Sequence, residues 1–211
     1  MNTHTKSMLA SLFGVFLLSL LAGCNTPSEP AGTAPPLAKA SPEAMPKMEG
    51  MAMAMGMTGM EALKKFKGKE FDIAYLSQMI AHHQAAVVMA NQALKTAKKP
   101  ETKQNAQKVI EAQTKEISQM TSWLKEWYKT APDTQQQALV QGDMKAMMAM
   151  PVTSDEVFFE MMIPHHQGAI DMSQLAKTQS ERSEVKQLAE QIIAAQTKEI
   201  ADYHKMMGHG G

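Results

Sequence analysis

The hexapeptide MIAHHQ at residues 79–84 returns as MIPHHQ at residues 162–167, 83 residues further along the chain. The same offset, with no gap, carries QTKEI at residues 113–117 onto QTKEI at residues 196–200. Two separate motifs that keep one constant offset indicate an internal duplication. The folded part of the chain is therefore predicted to consist of two copies of one unit.

Each repeat is predicted to form two helices, because apolar residues recur at alternating steps of three and four. In the second helix of each repeat these positions are Ala106, Ile110, Gln113, Ile117, Met120, Leu124 and Trp127, and then Ala189, Ile193, Gln196, Ile200, Tyr203 and Met207. The predicted helices cover residues 69–98, 101–129, 154–179 and 182–206. Thr153 and Glu156 form a capping-box pattern at the third helix, and Pro100 stops the first.

Two helical hairpins with complementary apolar stripes bury them best against each other, so the sequence predicts an all-α four-helix bundle. We assign the bundle to residues 61–207, with repeats at about 70–129 and 153–206 and a tail at residues 208–211. The crossover at residues 130–152 carries a cluster of methionines, predicted on a short helix: Met144, Met147, Met148 and Met150.

The N-terminus predicts a lipoprotein signal at residues 1–23. Lys6 precedes an apolar run at residues 8–21, and Leu21-Ala22-Gly23-Cys24 follows as a lipobox pattern, with Cys24 as the lipidated residue. A membrane helix is the alternative, but the apolar run is shorter than the roughly 20 residues that cross a bilayer. The protein is therefore expected in the cell envelope, attached to the membrane by lipid.

Residues 24–60 are predicted to be a flexible tether that is rich in Pro and Ala and then in Met. Its methionines lie among Gly and Ala: Met45, Met48, Met51, Met53, Met55, Met57 and Met60. Flexible thioethers could converge on a soft metal ion. The alternative is an inert linker, or the start of an amphipathic helix whose methionines fill the core.

Both histidine pairs lie on apolar stripes of their helices. Their candidate metal ligands are Met79, His82, His83 and Met89 in the first repeat, and Met162, His165, His166 and Met172 in the second. A Met three residues before a His can direct sulfur and imidazole to one point. The alternative is a structural polar layer in which Gln113 and Gln196 bond the histidines. Pro164 is expected to loosen the second repeat.

The C-terminus offers a third group of soft ligands: His204, Met206, Met207 and His209. These side chains could wrap an ion at a fraying helix end, or form a tail without function.

The motifs that are missing from the sequence argue against several classes of metal site, catalytic site and partner. No Glu-x-x-His occurs, so a catalytic di-iron site is not expected, and the single cysteine excludes a multi-cysteine metal site. No nucleophile and base pair or phosphate loop suggests an enzyme or an organic cofactor. The net charge of zero disfavours nucleic acid as a partner. Methionine with histidine points to Cu(I), with silver as its mimic and Cu(II) possible at the histidines.

The stretches FDIAYLSQMIAHHQAAVVMA at residues 71–90 and EVFFEMMIPHHQGAIDMS at residues 156–173 resemble the twin signatures of domain-of-unknown-function family 305. The resemblance covers about residues 70–206. It implies a ferritin-like helical bundle of the envelope, in a family with some copper-binding members. Carried over by position, it implies the eight bundle ligands named above.

The expected function is copper sequestration, resistance or transfer by a lipid-anchored protein that exchanges ions with a donor or acceptor protein. The alternative is a metal-free helical interaction module, and a ferritin-like oxidase is a weaker one.

Overall fold

The computed structural model describes residues 57–208, whose regular secondary structure is entirely helical, so the all-α prediction is confirmed. The helices are α1 (Met57–Leu63), α2 (Gly68–Thr96), α3 (Pro100–Tyr128), α4 (Thr134–Met148), α5 (Asp155–Gln179) and α6 (Ser183–Met206). The four long helices begin and end within two residues of the predicted boundaries. None of the helices between residues 57 and 208 has the length and hydrophobicity needed to cross a membrane.

The two histidine-bearing helices, α2 and α5, pack against each other at the centre of the bundle. Helix α3 packs on α2, and α6 packs on α5, so each repeat is a hairpin. The Tyr75 hydroxyl near the start of α2 lies 2.9 Å from the Ser173 hydroxyl near the end of α5. Helices α2 and α5 are therefore antiparallel, as a twofold axis perpendicular to them requires.

Two aspartates at equivalent positions have different partners. The Asp155 carboxylate accepts hydrogen bonds from the backbone N–H groups of Lys98 and Lys99, at 3.1 and 3.0 Å, in the turn of the first hairpin. Asp72 lies 83 residues earlier, and its carboxylate accepts a hydrogen bond from the Tyr128 hydroxyl of the same repeat, at 2.7 Å. Asp155 thus ties the second repeat to the turn of the first.

The core follows the predicted stripes with the same shift in both repeats, since in α3 Val109 is buried and the predicted Ile110 and Ile117 are half-buried. In α3 the buried positions include Ala106, Gln113, Met120 and Leu124, as predicted. In α6 the buried isoleucine is Ile192, whereas the predicted Ile193 and Ile200 are half-buried. The prediction assumed alternating steps of three and four residues, which is a strict heptad repeat. A straight helix with 3.6 residues per turn drifts away from that repeat, so a neighbouring residue enters the core instead.

The third long helix begins one residue later than its capping-box pattern indicated. The Ser154 side chain, not that of Thr153, accepts the Val157 N–H at 3.2 Å. With Ser154 as the cap, Asp155 and Glu156 fall in the first turn of α5, where negative charge is favourable. Pro164 lies inside α5. The helix continues past this residue to Gln179, although proline has no backbone N–H to donate to the helical hydrogen bonds.

The crossover forms α4, which packs against α2, and α1 packs against α4. The N–H groups of Thr58 and Gly59 point at the Asp143 carboxylate, at 3.3 and 2.9 Å, which supplies acceptors to the start of α1. A Cβ at Gly59 would lie 2.9 Å from Gln78 Oε1, so the close packing requires glycine. Residues 57–60, expected in the tether, are thus helical. Met57 and Met60 are three residues apart, a helical spacing, and the bonds to Asp143 fix the start of the helix.

Candidate metal centre

Four histidines lie buried where α2 crosses α5. His83, His165 and His166 have no exposed surface, and His82 is 3% exposed. The rings of His82 and His165 lie 3.8 Å apart between centroids, with planes inclined by 38°. These two residues are equivalent in the duplication, and equivalent residues touch only close to the pseudo-twofold axis. The structure therefore brings both histidine pairs together at the centre of the bundle.

Two of the histidines have an acceptor at Nε2. His83 Nε2 lies 2.6 Å from a Glu116 carboxylate oxygen, and His165 Nε2 lies 3.0 Å from the backbone carbonyl oxygen of His82. A carbonyl or ionised carboxylate oxygen carries no hydrogen, so the ring nitrogen must donate. In the neutral ring the proton is then on Nε2, and Nδ1 holds a lone pair.

His166 repeats the carboxylate contact less well. Its Nε2 lies 2.8 Å from a Glu199 carboxylate oxygen, but the arrangement falls outside hydrogen-bond geometry and Nε2 has no hydrogen-bond partner. Glu116 and Glu199 are 83 residues apart and belong to the repeated QTKEI motif. The repeated motif was therefore an available sequence signal for these carboxylates, which lie three residues after the glutamines that were expected to bond the histidines.

Gln113 and Gln196 are buried, and neither bonds a histidine. The side-chain oxygens of both glutamines have no partner among the described residues. The alternative of a glutamine-histidine layer is therefore wrong, because the Glu116 carboxylate, one turn further along α3, bonds His83 in the place assigned to the amide.

All four histidines share one unsatisfied atom. Within residues 57–208, the buried Nδ1 atoms of His82, His83, His165 and His166 find no hydrogen-bond partner. A buried polar atom left in this way costs about 1–3 kcal/mol, and such atoms are rare in native cores. The bare lone pairs of His83 and His165 are Lewis bases of the kind that a metal ion accepts.

Burial also keeps His82 and His165, the two histidines at the pseudo-twofold axis, in the neutral form. It lowers the pKa of His82 and of His165 well below the usual value, and the neighbouring histidines lower both further. The neutral imidazole is the form that ligates metals, so no proton has to be displaced from Nδ1 of His165 when an ion binds.

The predicted thioethers lie in the same core. Met79, Met89, Met162 and Met172 are all at most 1% exposed. Among residues 57–208, no three side chains of the His, Cys, Asp or Glu types form a ready-made metal site. An ion held at the centre of this bundle would therefore need methionine sulfur beside imidazole nitrogen, which is a soft ligand set.

The remaining predicted ligands lie elsewhere. At the end of α6, His204 is exposed, Met207 is half-buried, and Met206 is 38% exposed, with its sulfur 3.5 Å from the Asn105 amide nitrogen. Met57 begins α1. Outside the described residues lie Cys24, Met48, Met51, Met53, Met55 and His209.

Comparison with known proteins identifies a matching family and several similar structures. The sequence profile of DUF305, a domain of unknown function, matches residues 17–124 and again residues 93–207. No functionally curated protein matches the chain.

Among solved structures, CopM in its Cu(I)-bound form is 35% identical, with a TM-score of 0.56, over 64% of this chain and 94% of that chain. CopM in an Ag-bound form is 34% identical, with a TM-score of 0.55, over 64% and 93%. A DUF305 protein from Streptomyces coelicolor, 20% identical with a TM-score of 0.55 over 66% and 93%, shares the fold.

Proposed function

The chain belongs to the DUF305 family, and from this premise we propose that it binds copper, as Cu(I) or Cu(II), and silver, for sequestration, resistance or transfer. One observation carries the proposal: four buried histidines leave Nδ1 without a partner in a core that also buries thioethers. Stability alone gives no reason to retain such atoms. A soft cation would satisfy them.

The donor chemistry selects the metal. Neutral imidazole and thioether are soft or intermediate ligands, which suit Cu(I) and Ag(I) better than Mg²⁺ or Ca²⁺. Glu116 would support a ligating His83, because a carboxylate bonded to the far ring nitrogen orients the ring and makes it more basic. Glu199 lies 2.8 Å from His166 Nε2 without hydrogen-bond geometry. The similarity to CopM, whose structures contain Cu(I), Cu(II) or Ag, supports the same assignment.

The cellular role rests on the N-terminal sequence. A lipidated Cys24 would hold the protein at the membrane surface of the envelope. The methionine tract and the C-terminal group at residues 204–209 would capture ions, and the bundle would hold them for a donor or acceptor protein. The core and the capture segments thus have separate tasks.

A metal-free interaction module is the competing function. The hydrogen bonds of His83 to Glu116 and of His165 to the His82 carbonyl favour it, because each satisfies one ring nitrogen without any metal. In that case the histidine layer would only specify how the helices pack. The two functions predict different effects of removing sulfur from the core. Metal binding would weaken if the protein binds copper, whereas only packing would change in an interaction module.

The proposal is tested by competitive Cu(I) titration of the chain that begins after Cys24. The test variant replaces Met79 and Met162 by Leu, which keeps volume and hydrophobicity but removes both sulfurs. The matched control replaces Met120 and Met147 by Leu; both are equally buried but lie on α3 and α4, which carry no histidine. We expect Cu(I) affinity to fall at least tenfold in the test variant and to stay unchanged in the control.

A third chain lacking residues 45–56 measures the contribution of the tract while leaving α1 intact. Cu(I) affinity that survives this deletion and falls with the Met79 and Met162 substitutions places the ion in the bundle. Equal affinity in the test and control variants would favour the interaction module. In cells, deletion of the gene is expected to increase sensitivity to copper and silver, and unchanged tolerance in a strain with no second copy would count against resistance.

A further inference from the structure

A second group of thioethers lies outside the histidine core, in a groove between α4 and α2. The groove has a volume of about 270 Å³ and is lined by Met144 and Met148 of α4. These two residues are one helical turn apart, so their side chains lie on the same face. The α2 wall includes Ala81 and Ala85, whose small side chains leave room for the sulfurs.

The groove is open to solvent, unlike the histidine core. Val88 on its wall is 46% exposed, and Gln84 and Gln141 are exposed at its edges. Met144 is buried and Met148 is half-buried. The lining contains no charged side chain, so nothing there attracts a hard cation, and the amide oxygens of the glutamines are weak additional donors. A soft ion could reach Met148 from solvent without any opening of the bundle, whereas the second thioether, Met144, is 2% exposed.

The groove belongs to one repeat only. On α5 the positions equivalent to Ala81, Gln84 and Ala85 are Pro164, Gln167 and Gly168. There the Gln167 amide is bonded to Asp171 at 2.8 Å, on an exposed polar surface. The crossover helix packs on α2, so its methionines add a site that the duplication did not create.

We infer that Met144 and Met148 form a separate, solvent-accessible site for Cu(I) or Ag(I), with thioether ligation and optional help from a glutamine amide. The inference rests on the proposed function and adds a second location for the ion. An ion can reach Met148 without the local opening that the histidine core requires, because Met148 is half-buried whereas the four histidines are at most 3% exposed.

The test uses the full mature chain with carbon-13 labelled methionine methyl groups, titrated with Ag(I). We expect the Met144 and Met148 methyl signals to move during the Ag(I) titration, in addition to signals of the core methionines. The variant with Met144→Leu and Met148→Leu is expected to bind one Ag(I) fewer per chain. Met147→Leu is the matched control, since Met147 is buried on the same helix but does not line the groove.

The outcomes separate the two proposals. If the chain binds Ag(I) but the Met144 and Met148 signals stay fixed and the double variant keeps full stoichiometry, the groove inference is wrong and the core assignment stands. If the chain binds no Ag(I), both fail. The methyl signals of the unsubstituted chain decide the question even if the double variant does not fold.

Discussion

The two repeats carry the same histidine pair in different surroundings. In the first repeat, His83 bonds Glu116 at 2.6 Å with good geometry, whereas in the second, His166 and Glu199 approach to 2.8 Å without hydrogen-bond geometry. At the axis, His165 donates to the His82 carbonyl and no equivalent bond returns. The duplication therefore produced matching residues but unequal environments.

The asymmetry has a local cause at the axis. Gly168 stands where the first repeat has Ala85, and a Cβ there would lie 3.2 Å from His82 Nε2. The second repeat therefore has one methyl group fewer beside the His82 ring, at the point where the His82 and His165 rings lie 3.8 Å apart between centroids. The four histidines are therefore four inequivalent side chains, not two identical pairs.

The largest expected difference between the repeats concerns the equivalent aspartates Asp155 and Asp72. Asp155→Asn should lower the free energy of unfolding by about 3 kcal/mol, because one charge-assisted bond is lost and an amide N–H₂ group faces a backbone N–H. Asp72→Asn should change it by less than about 1 kcal/mol, because Tyr128 can still donate to the Asn oxygen. Urea unfolding of both variants measures this, and equal losses would contradict the account.

The carboxylate contacts should show the next largest difference. Glu116→Ala leaves the buried His83 Nε2–H without an acceptor and should cost about 2 kcal/mol. Glu199→Ala removes a contact that is not a hydrogen bond and should cost about 0.5 kcal/mol. Thermal and urea unfolding of the matched pair provide the check. A larger loss from Glu199→Ala would mean that the second repeat holds its histidine more tightly than the first.

A smaller effect is expected from two helical glycines. Gly142→Ala in α4 meets no atom within 4 Å and should gain about 0.5–1 kcal/mol from helix propensity. Gly168→Ala should forfeit that gain, because its Cβ crowds His82. Unfolding free energies and the His82 ring signals in NMR spectra test this together. An equal gain in both variants, with unmoved His82 signals, would remove the steric explanation of the asymmetry.

The smallest effect is the pH dependence of the two aspartates, which should have opposite signs. Burial raises the pKa of Asp72, and the bonds from Ser180 and Tyr128 only partly offset it. Burial also acts on Asp155, but bonds from Thr102 and from the Lys99 and Lys98 backbones outweigh it and lower the pKa.

The stabilisation by Asp155 is therefore present above its unfolded-state pKa and is lost as pH falls through the lowered folded value. Asp72 behaves oppositely, since its ionised form is penalised in the fold and the penalty grows as pH rises through the raised value. The cost of Asp155→Asn should shrink on acidification, whereas Asp72→Asn should become relatively more stabilising as pH rises. Unfolding measured from pH 3 to pH 7 tests the signs, and parallel slopes would contradict them.

The duplication made most of the fold predictable. A constant offset and period-3.6 stripes suffice to define hairpins, and repeats of one unit must bury equivalent faces. Helix α1 was not predictable from local pattern, because its start depends on Asp143, more than 80 residues away in sequence. Contacts of this kind appear only when the chain is packed.

The site was only partly predictable. The apolar stripes placed the histidines and methionines in the core, but Glu116 and Glu199 are 21% and 29% exposed and lie off the main seam. Charged residues at such positions usually belong to the solvated face of a helix. Their repetition in QTKEI was the available signal. The inequality of the repeats was not available from sequence, since it depends on ring packing at the axis.

The central claim is that buried histidine Nδ1 atoms of the bundle ligate a soft metal ion. Nitrogen-15 NMR of the histidine rings, recorded on the chain lacking residues 45–56 before and after saturation with Ag(I), tests it most directly. We expect the rings of His83 and His165 to be protonated at Nε2 without metal. When Ag(I) binds, the Nδ1 signal of at least one of these two rings should shift. Unchanged Nδ1 signals for all four core histidines at saturation would contradict it.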